Sequence, residues 1–268
     1  MKATSFAKEQ GLYTVFFTID GTRTDMDWLL KLVHRVATEG HMDAFTLVDT
    51  FGVLSPQGAS YFTRKVKEAV KKPLEIHFHS DFGLGVANTI MAVLAGAEVI
   101  HSTVGGIGER CGNAPMEETA LALLTLYGID VGIHYGKLNE LSNFVMKLAG
   151  LEPPPNRPFV GSKAYSIESG IVTSWYKNAF EKDPTIVFPV NPRFVGRELP
   201  EIVLGKKSGL DNIVILAERL GIEIPETERL NVLNEVKLRS HDKKRPLTDK
   251  EFSEVVKEVL AKAKGSKG

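Results

Sequence analysis

The sequence predicts an α/β fold: the C-terminal half of a (β/α)8 TIM barrel with four βα units, followed by a small helical domain. Apolar, β-favouring segments alternate four times with segments of helical apolar spacing between residues 12 and 127. Such alternation is typical of parallel strands joined by crossover helices. Polar side chains with useful chemistry follow the C-terminal ends of these strands, and barrel active sites lie at that rim.

The four units follow one another at short spacing. The turn after the first strand, IDGTRTD, lacks the G-x-G-x-x-G of a dinucleotide-binding sheet, which favours a barrel over a doubly wound sheet. Residues 1–10 resemble the tail of a helix, so we expect the first four barrel strands to lie outside this chain. The predicted strands are 12–18, 44–50, 73–80 and 98–104, and the predicted helices are 25–39, 56–71, 84–95 and 116–127.

A change of pattern after residue 128 indicates further parts. A helix is predicted at 137–149, and the proline-rich segment 150–161 reads as a linker followed by irregular chain over 162–200. Thr248 followed by Glu251 predicts the capped start of a last helix. The predicted domains are a half-barrel at 1–150, a linker subdomain at 151–204 and a helical subdomain at 205–268, with helices near 208–220, 226–240 and 248–263.

Composition excludes several classes of partner. Lys plus Arg equals Asp plus Glu at 33 each, and this neutral balance argues against a nucleic-acid partner. Cys111 is the single cysteine, so an internal disulfide is impossible and a reducing cytoplasm is expected. We find no signal peptide and no apolar stretch of membrane-spanning length. We therefore expect a soluble, cytoplasmic protein that acts on small molecules.

The segment PLEIHFHSD predicts a site at the end of the third strand. Alternation places Glu75, His77, His79 and Asp81 on one face. Imidazoles at this spacing, roughly 7 Å apart at Cα from the strand rise, can share one metal ion. Zinc, iron, manganese and nickel all accept imidazole ligands, so the pair does not identify the ion. The alternative is that both are ordinary polar residues of a strand.

The loop GGIGERCGNAPMEE at 105–118 offers a second group of candidates. Its glycines allow the backbone to approach a ligand closely. Asn113 has a carbonyl oxygen suited to completing a metal site, and Glu109 and Arg110 are candidates for contact with an anionic substrate. Cys111 has no neighbouring histidine to activate it and is expected to be a small filler. A generic loop is the alternative.

Together these segments resemble a known family. His77, His79, Asp81, Gly83 and Asn88 match an H-x-H-x-D-x-G-x-x-x-x-N motif, and G-x-G-E-R-x-G-N follows at 106–113. The chain is similar in these motifs to metal-dependent synthases and lyases that include 2-isopropylmalate synthase, homocitrate synthase, citramalate synthase and HMG-CoA lyase. LVDTFGVLSP (47–56), FFTIDGTRTD (16–25) and IVLGKKSG (202–209) extend the resemblance over nearly the whole chain.

The resemblance implies an activity and a set of site residues. It implies a 2-isopropylmalate synthase-like acyltransferase that condenses acetyl-CoA, or another acyl-CoA, with a 2-oxoacid on a divalent metal ion (Mn, Zn or Mg). It also implies a homo-oligomer or an N-terminal half-barrel partner. The implied metal ligands are His77, His79 and Asn113; the catalytic residues are Glu75 and Glu109; the substrate-binding residues are Thr18, Asp20, Thr50, Asp81 and Arg110.

The chain departs from the family pattern at three points. The D-R-E-type motif that supplies an aspartate ligand is not present. Val172 and Ile167 stand where the synthases carry histidines, and Phe16 stands where homocitrate synthases carry an arginine, which favours an apolar 2-oxoacid. Two alternatives therefore stay open. One is a related lyase or aldolase, and the other is an incomplete, non-catalytic half-barrel that needs a partner.

Overall fold

The computed structural model describes residues 1–265 and divides into two compact units. The first unit comprises Met1–Ile133 and Leu141–Glu152, and the second comprises His134–Glu140 with the described residues from Pro153 on. No helix among the described residues is long and apolar enough to cross a membrane. The helices are α1 (Lys2–Glu9), α2 (Met26–Glu39), α3 (Pro56–Ala69), α4 (Gly85–Leu94), α5 (Met116–Tyr127), α6 (Leu138–Ala149), α7 (Gly170–Ala179), α8 (Leu210–Leu220), α9 (Arg229–Lys243) and α10 (Asp249–Gly265).

A four-stranded parallel sheet organises the first unit. Its strands are β1 (Val15–Thr18), β2 (Ala44–Asp49), β3 (Leu74–Phe78) and β4 (Val99–His101), and they lie in the order β1-β2-β3-β4. The register aligns Thr46 with Glu75, and His77 with both Val48 and His101. A helix follows each strand. The predicted succession of four βα units is therefore confirmed.

The two faces of β3 differ as the alternation predicts. Leu74, Ile76 and Phe78 are each 1% exposed and belong to the apolar core. Glu75, His77 and the residue after the strand, His79, belong to the alternate set. Burying the apolar set against the helices thus leaves the polar set on the opposite face of the sheet.

Local signals fix where the helices after β1 and β2 begin. The Asp25 carboxylate accepts a hydrogen bond from the backbone N–H of Trp28 at 2.9 Å, which caps α2. The Ser55 hydroxyl accepts from the N–H of Gly58 at 3.1 Å, and Pro56 occupies the first turn of α3. The loops between strand ends and helices are consequently short and well defined.

The second unit is mainly helical. Two short parallel strands, β5 (Ser166–Ile167) and β6 (Glu201–Ile202), pair with each other. A separate apolar core joins α8, α9 and α10 through residues such as Ile213, Val236 and Phe252. The predicted cap of the last helix is confirmed, because Thr248 Oγ1 accepts from the N–H of Glu251 at 3.3 Å and Glu251 accepts from the N–H of Thr248 at 2.8 Å.

Two sequence-based expectations are wrong. The segment 162–200 is not irregular throughout, because it contains α7. Its sequence has a weak helical signal, with β-branched and aromatic residues, and the helix packs on α8 where Gly170 meets Gly209. The first strand begins at Val15 rather than at residue 12, because pairing with β2 starts at Val15, and Leu12 and Tyr13 are 62% and 66% exposed.

Candidate active site

Two histidine rings meet at the C-terminal end of β3. The ring centroids of His77 and His79 lie 5.2 Å apart with their planes at 62°. Burial, together with the neighbouring His79 and His101, lowers the pKa of His77 to about 4. The His77 ring is therefore neutral at pH 7, with a nitrogen lone pair available to a ligand.

The glycine-rich loop folds back onto the end of β3. His79 and Asn113 form an antiparallel bridge. On either side of this bridge, the N–H of Ser80 donates to the carbonyl of Gly112 at 2.9 Å, and the N–H of Ala114 donates to the carbonyl of Phe78 at 3.1 Å. Residues that are far apart in the sequence are thereby held side by side by backbone hydrogen bonds.

Gly112 makes this fold-back possible. Its φ is +80°, a conformation that residues with a side chain rarely adopt. A Cβ at this position would lie 1.8 Å from the carbonyl oxygen of Gly106, so no larger residue fits. The same turn lets the Asn113 N–H donate to that carbonyl at 3.1 Å.

Two buried polar atoms at this bridge have no hydrogen-bond partner among residues 1–265. They are Nδ1 of His79 and Oδ1 of Asn113, and both residues are 8% exposed. The Asn113 amide nitrogen donates to the Ile107 carbonyl at 3.2 Å, which fixes the orientation of the side chain. Buried polar atoms are rarely left unpaired. An imidazole nitrogen and an amide oxygen fit a divalent cation, although no group of three His, Cys, Asp or Glu side chains in residues 1–265 is arranged to hold one.

A chain of hydrogen bonds crosses the sheet beside His77. The Thr18 hydroxyl donates to the Thr46 carbonyl at 2.9 Å, and the Thr46 hydroxyl donates to Glu75 Oε2 at 3.0 Å. His101 Nε2 lies 2.9 Å from the same Glu75 oxygen. Glu75 is 7% exposed, so these two partners satisfy a buried carboxylate.

Sequence reasoning missed His101. Its ring centroid lies 5.6 Å from that of His77, and the Phe17 ring stacks on it with centroids 6.2 Å apart. Phe17 also meets His77 edge-on at 5.1 Å. Phe16, which the family comparison singled out, instead packs in the core against Phe45. The apolar position beside the histidines is therefore Phe17.

Arg110 joins the glycine loop to two other strand ends. Its guanidinium donates to both carboxylate oxygens of Asp81, at 2.8 and 3.1 Å, and to the Thr50 carbonyl. These hydrogen bonds lower the pKa of Asp81. The guanidinium also lies 5.1 Å from the centre of the Phe51 ring. Arg110, Asp81 and Thr50 are thus brought together.

Arg23 is a second arginine that lies on Phe51. Its guanidinium carbon is 4.0 Å from the centre of the Phe51 ring. Arg23 makes a bidentate ion pair with Asp20, at 2.7 Å for both bonds, which lowers the pKa of Asp20. The Asp20 N–H donates to the Thr50 hydroxyl at 2.7 Å. Sequence reasoning missed Arg23 and Phe51, whose only sign was their place at strand ends.

The turn after β2 holds these groups in place. Asp49 is fully buried and accepts from the Thr22 hydroxyl and from the N–H groups of Val53 and Leu54 at 2.9 to 3.1 Å. Gly52, at φ +58°, approaches Asp81 so closely that a Cβ would lie 2.6 Å from the Asp81 backbone nitrogen. This turn therefore explains two positions of the D-T-x-G pattern. Asp49 accepts the hydrogen bonds that hold the turn, and only glycine fits at position 52 beside Asp81.

Glu109 occupies a different environment from the other candidates. Its side chain is 86% exposed, and its carboxylate lies 3.7 Å from the guanidinium of Arg110. The remaining candidates fall in two groups at the C-terminal ends of the strands. One group contains Thr18, Glu75, His77, His79 and Asn113, and the other contains Asp20, Thr50, Asp81 and Arg110.

The chain is similar in sequence to several synthases. Homocitrate synthase AksA of Methanopyrus kandleri is 41% identical over 255 residues, covering 95% of this chain and 62% of the relative. (R)-citramalate synthase CimA of Methanocaldococcus jannaschii is 38% identical over 262 residues, covering 98% of this chain and 52% of the relative. 2-Isopropylmalate synthase of the same organism is 35% identical over 263 residues, covering 97% and 50%. The chain thus spans half to two thirds of the length of these relatives.

Solved structures and a family model agree on the fold. The crystal structure of HMG-CoA lyase from Bacillus subtilis matches with a TM-score of 0.50 and 20% identity, over 57% of this chain and 55% of that chain. This likeness concerns the fold, and it identifies the four βα units as part of a TIM barrel. The HMGL-like family model matches residues 1–145. Because that match covers more than half of the sequence, the chain belongs to the HMGL-like family.

Proposed function

We propose that this chain provides the catalytic rim of a metal-dependent acyltransferase that condenses acetyl-CoA with a 2-oxoacid. The observation that carries the proposal is the pair of buried, unpartnered acceptors, Nδ1 of His79 and Oδ1 of Asn113, bridged at the end of β3. The names of the relatives, all synthases, support the reaction class.

His77, His79 and Asn113 are the proposed holders of the metal ion. A divalent cation bound there would polarise a substrate carbonyl as a Lewis acid. The chain prepares two of these groups beforehand, since the His77 ring is neutral at pH 7 and the Asn113 amide is oriented by its hydrogen bond to the Ile107 carbonyl. The proposed ion is Mn, Zn or Mg.

The neighbouring groups are proposed to handle the substrates. Glu75 is the proposed site of proton transfer, because its Oε2 shares a hydrogen bond with His101 and is shielded from water. Thr18, which lies at the end of the same chain of hydrogen bonds, supports Thr46. Glu109 is proposed to act from the exposed rim, where an acyl-CoA would approach.

Arg110 and its partners are proposed to bind the anionic end of a substrate. The guanidiniums of Arg110 and Arg23 lie on Phe51 and are held there by Asp81 and Asp20. Both carboxylates are occupied by their arginines, and a bound anion would compete for the same donors. This arrangement fits recognition of a carboxylate or phosphate at the rim.

Phe17 supports a proposal for the class of 2-oxoacid. An aromatic ring beside His77 and His101 favours a 2-oxoacid with an apolar side chain, as in the 2-isopropylmalate synthase reaction. The citramalate and homocitrate reactions are the competing choices, since relatives of all three names match at similar identity. A cytoplasmic location stays a prediction from the single cysteine.

Completion of the site is proposed to require further strands. In residues 1–265, β1 pairs only with β2 and β4 only with β3, so both edges of the sheet are open. An apolar cavity of about 530 Å³ runs beside β4, lined by residues such as Val93, Val99 and Ile129. We propose that strands of a half-barrel partner, or of another copy, cover these edges and supply a carboxylate to the metal.

A second candidate function is a lyase or aldolase of the same family. Val172 on α7 and Ile167, which is 3% exposed in β5, occupy the positions of two synthase histidines. Neither side chain transfers a proton. A reaction that needs no such histidine is therefore the alternative.

Metal titration and thiol release test the proposal. Calorimetric titration of Zn²⁺ and Mn²⁺ into the full chain should show one site. His79→Ala and Asn113→Ala should weaken it at least about tenfold, while His34→Ala, on the exposed face of α2, should not. Release of free thiol from acetyl-CoA is then followed with pyruvate, 2-oxoisovalerate and 2-oxoglutarate, with 2-oxoisovalerate expected to react fastest.

The outcomes separate the candidates. An unchanged metal affinity in the His79→Ala variant would contradict the proposed site. Metal binding without thiol release from any 2-oxoacid, also after addition of a chain that carries the other strands, contradicts the synthase and favours the lyase. Cleavage of a 3-hydroxyacyl-CoA would then be the positive result for that alternative.

A further inference from the structure

Glu117 is a buried carboxylate that the proposed function does not use. It lies in the first turn of α5, close after Asn113 in the sequence, and is 1% exposed. Both of its carboxylate oxygens accept a hydrogen bond from the backbone N–H of Gly105, at 3.0 and 2.9 Å. Burying a carboxylate is costly unless it is hydrogen-bonded. The side chain of Glu117 is therefore tied to the start of the glycine-rich loop.

Gly105 forms a tight, buried turn at this point. Its φ is +63°, in the left-handed region that glycine adopts without strain. A Cβ here would lie 1.7 Å from the terminal methyl of Met146, so that methyl fills the space of a side chain. Removing the Glu117 carboxylate would take two hydrogen bonds from a turn that is packed on this side.

The residues that follow Gly105 hold Asn113. The carbonyl of Gly106 accepts from the backbone N–H of Asn113 at 3.1 Å, and the carbonyl of Ile107 accepts from its side-chain Nδ2 at 3.2 Å. Gly108 lies against the same amide, since a Cβ there would be 2.4 Å from Nδ2. The orientation of the Asn113 amide therefore depends on the position of these three residues.

The start of the loop and the start of α5 are joined in two ways. The carbonyl of Thr103 accepts from the N–H of Gly106 at 3.0 Å and from the N–H of Met116 at 2.9 Å. The hydrogen bonds between Glu117 and Gly105 add a side-chain link between the same two segments. Asn113 lies in the chain between them, so Glu117 helps to close the loop that contains it.

We propose that Glu117 is a positioning residue for Asn113. It holds the turn at Gly105 so that the Ile107 carbonyl faces the Asn113 amide nitrogen, and Asn113 Oδ1 is then presented to the metal ion. Without this support, a half-turn of the amide exchanges its oxygen and nitrogen and presents a donor in place of an acceptor. The inference rests on the proposed function, because the role of Oδ1 as a metal ligand belongs to that proposal.

The Asn113 side-chain amide of the full chain without metal is the first readout. Its NMR signal is identified by its loss in Asn113→Ala, and its hydrogen exchange should be slow because Nδ2 donates to Ile107 in a buried position. Glu117→Ala should raise the exchange rate at least about tenfold, as expected when hydrogen bonds to a charged group are lost. Glu68→Ala, at a 71% exposed side chain on α3, is the control and should leave the rate unchanged.

Metal affinity is the second readout. Calorimetric titration of Zn²⁺ should show binding at least about tenfold weaker in Glu117→Ala than in wild type, as for other groups that orient metal ligands. The same substitution should cause no further loss in an Asn113→Ala chain, because both changes act through one oxygen. Glu117→Gln keeps a carbonyl oxygen as acceptor and should retain more affinity than Glu117→Ala. Circular dichroism of each variant confirms folding.

Two results would overturn the proposal. The first is an unchanged Asn113 amide signal in folded Glu117→Ala. The second is an equal loss of metal affinity with and without Asn113, since Glu117 would then act by another route. If Glu117→Ala does not fold, Glu117→Asp, whose carboxylate is one methylene shorter, takes its place in both measurements. A wild-type chain that binds no metal contradicts the proposed function, whereas the amide signal still decides the role of Glu117.

Discussion

Glu75 is a buried carboxylate that receives a hydrogen bond from Thr46 and shares another with His101. Alternation in the sequence placed Glu75, His77 and His79 on one face, and the structure agrees. His101 was not predictable in the same way, because the register between β3 and β4 decides which residue of the segment EVIHSTV lies beside His77. The sequence therefore predicts which residues of one strand share a face. It does not predict which residue of the neighbouring strand lies beside them.

Replacing His101 tests this pairing. His101→Phe keeps an aromatic ring but leaves Glu75 with one partner fewer in a buried position. We expect the free energy of unfolding to fall by about 1–3 kcal/mol in urea denaturation. His34→Phe, at an exposed position, serves as the control and should stay within about 0.5 kcal/mol. Equal effects of the two substitutions would contradict the role of His101.

Tyr165 gives a prediction about pH. Burial raises its pKa to about 12, although Arg197 acts in the opposite direction. The folded state therefore favours the protonated phenol, so this contribution to stability is complete below pH 10 and is lost as the pH rises towards 12. Absorbance titration should show one late tyrosine that Tyr165→Phe removes. A late step that persists in this variant would assign it to another of the six tyrosines.

At the scale of elements, caps and turns were predictable where a short motif carries its own hydrogen bonds. Thr248 and Glu251 begin α10 as their spacing predicted. α7 was missed, because its stability comes from packing on α8 and not from its own residues. The D-T-x-G turn was recognisable as a motif, but its reason, the contact of Gly52 with Asp81, required the structure.

The cap of α10 predicts a measurable loss. Thr248→Ala removes the hydroxyl that accepts from the Glu251 N–H, and we expect a destabilisation of about 1 kcal/mol. Ser253→Ala in the same helix is the control, since its exposed hydroxyl only donates to the Asp249 carbonyl within the helix. Chemical denaturation compares the two. A larger loss from Ser253→Ala would contradict the cap.

The turn after β2 predicts a difference between two glycines. Gly128→Ala introduces a side chain at φ +67° with open space around it, and we expect a cost of about 1–2 kcal/mol. Gly52→Ala has a similar φ but also meets the Asp81 backbone, so its cost should be clearly larger. Thermal unfolding measures the stability loss of both variants. The difference between the two losses gives the cost of the clash with the Asp81 backbone, because the cost of the positive φ is common to both. Equal losses would mean that the turn relaxes freely.

At the scale of the whole molecule, the open edges of the sheet are the dominant feature. Unpaired strands promote association through their free backbone groups. The composition predicted a globular α/β protein and the motifs predicted its four βα units. Neither the composition nor the motifs identify the chain that covers β1 and β4. Its identity depends on a surface complementary to these edges, and that surface belongs to the other chain.

Association should depend on β4. We expect the purified chain to sediment as an oligomer, or to bind a chain that carries the other barrel strands. Val99→Lys, at a 40% exposed position of the edge strand, should weaken this association. Leu126→Lys, at a 74% exposed position on α5, is the control. A stable monodisperse monomer of the wild-type chain would contradict the expectation.

The bridge between His79 and Asn113 also affects how the site forms during folding. The proposed metal-holding groups that this chain itself supplies fall between residues 77 and 113, in two consecutive βα units. The bridge joins residues 34 positions apart, so its formation requires these two units to be ordered but not the helical second unit. A metal ion present during folding should therefore favour the ordering of this part of the first unit, because it binds groups from both of its βα units.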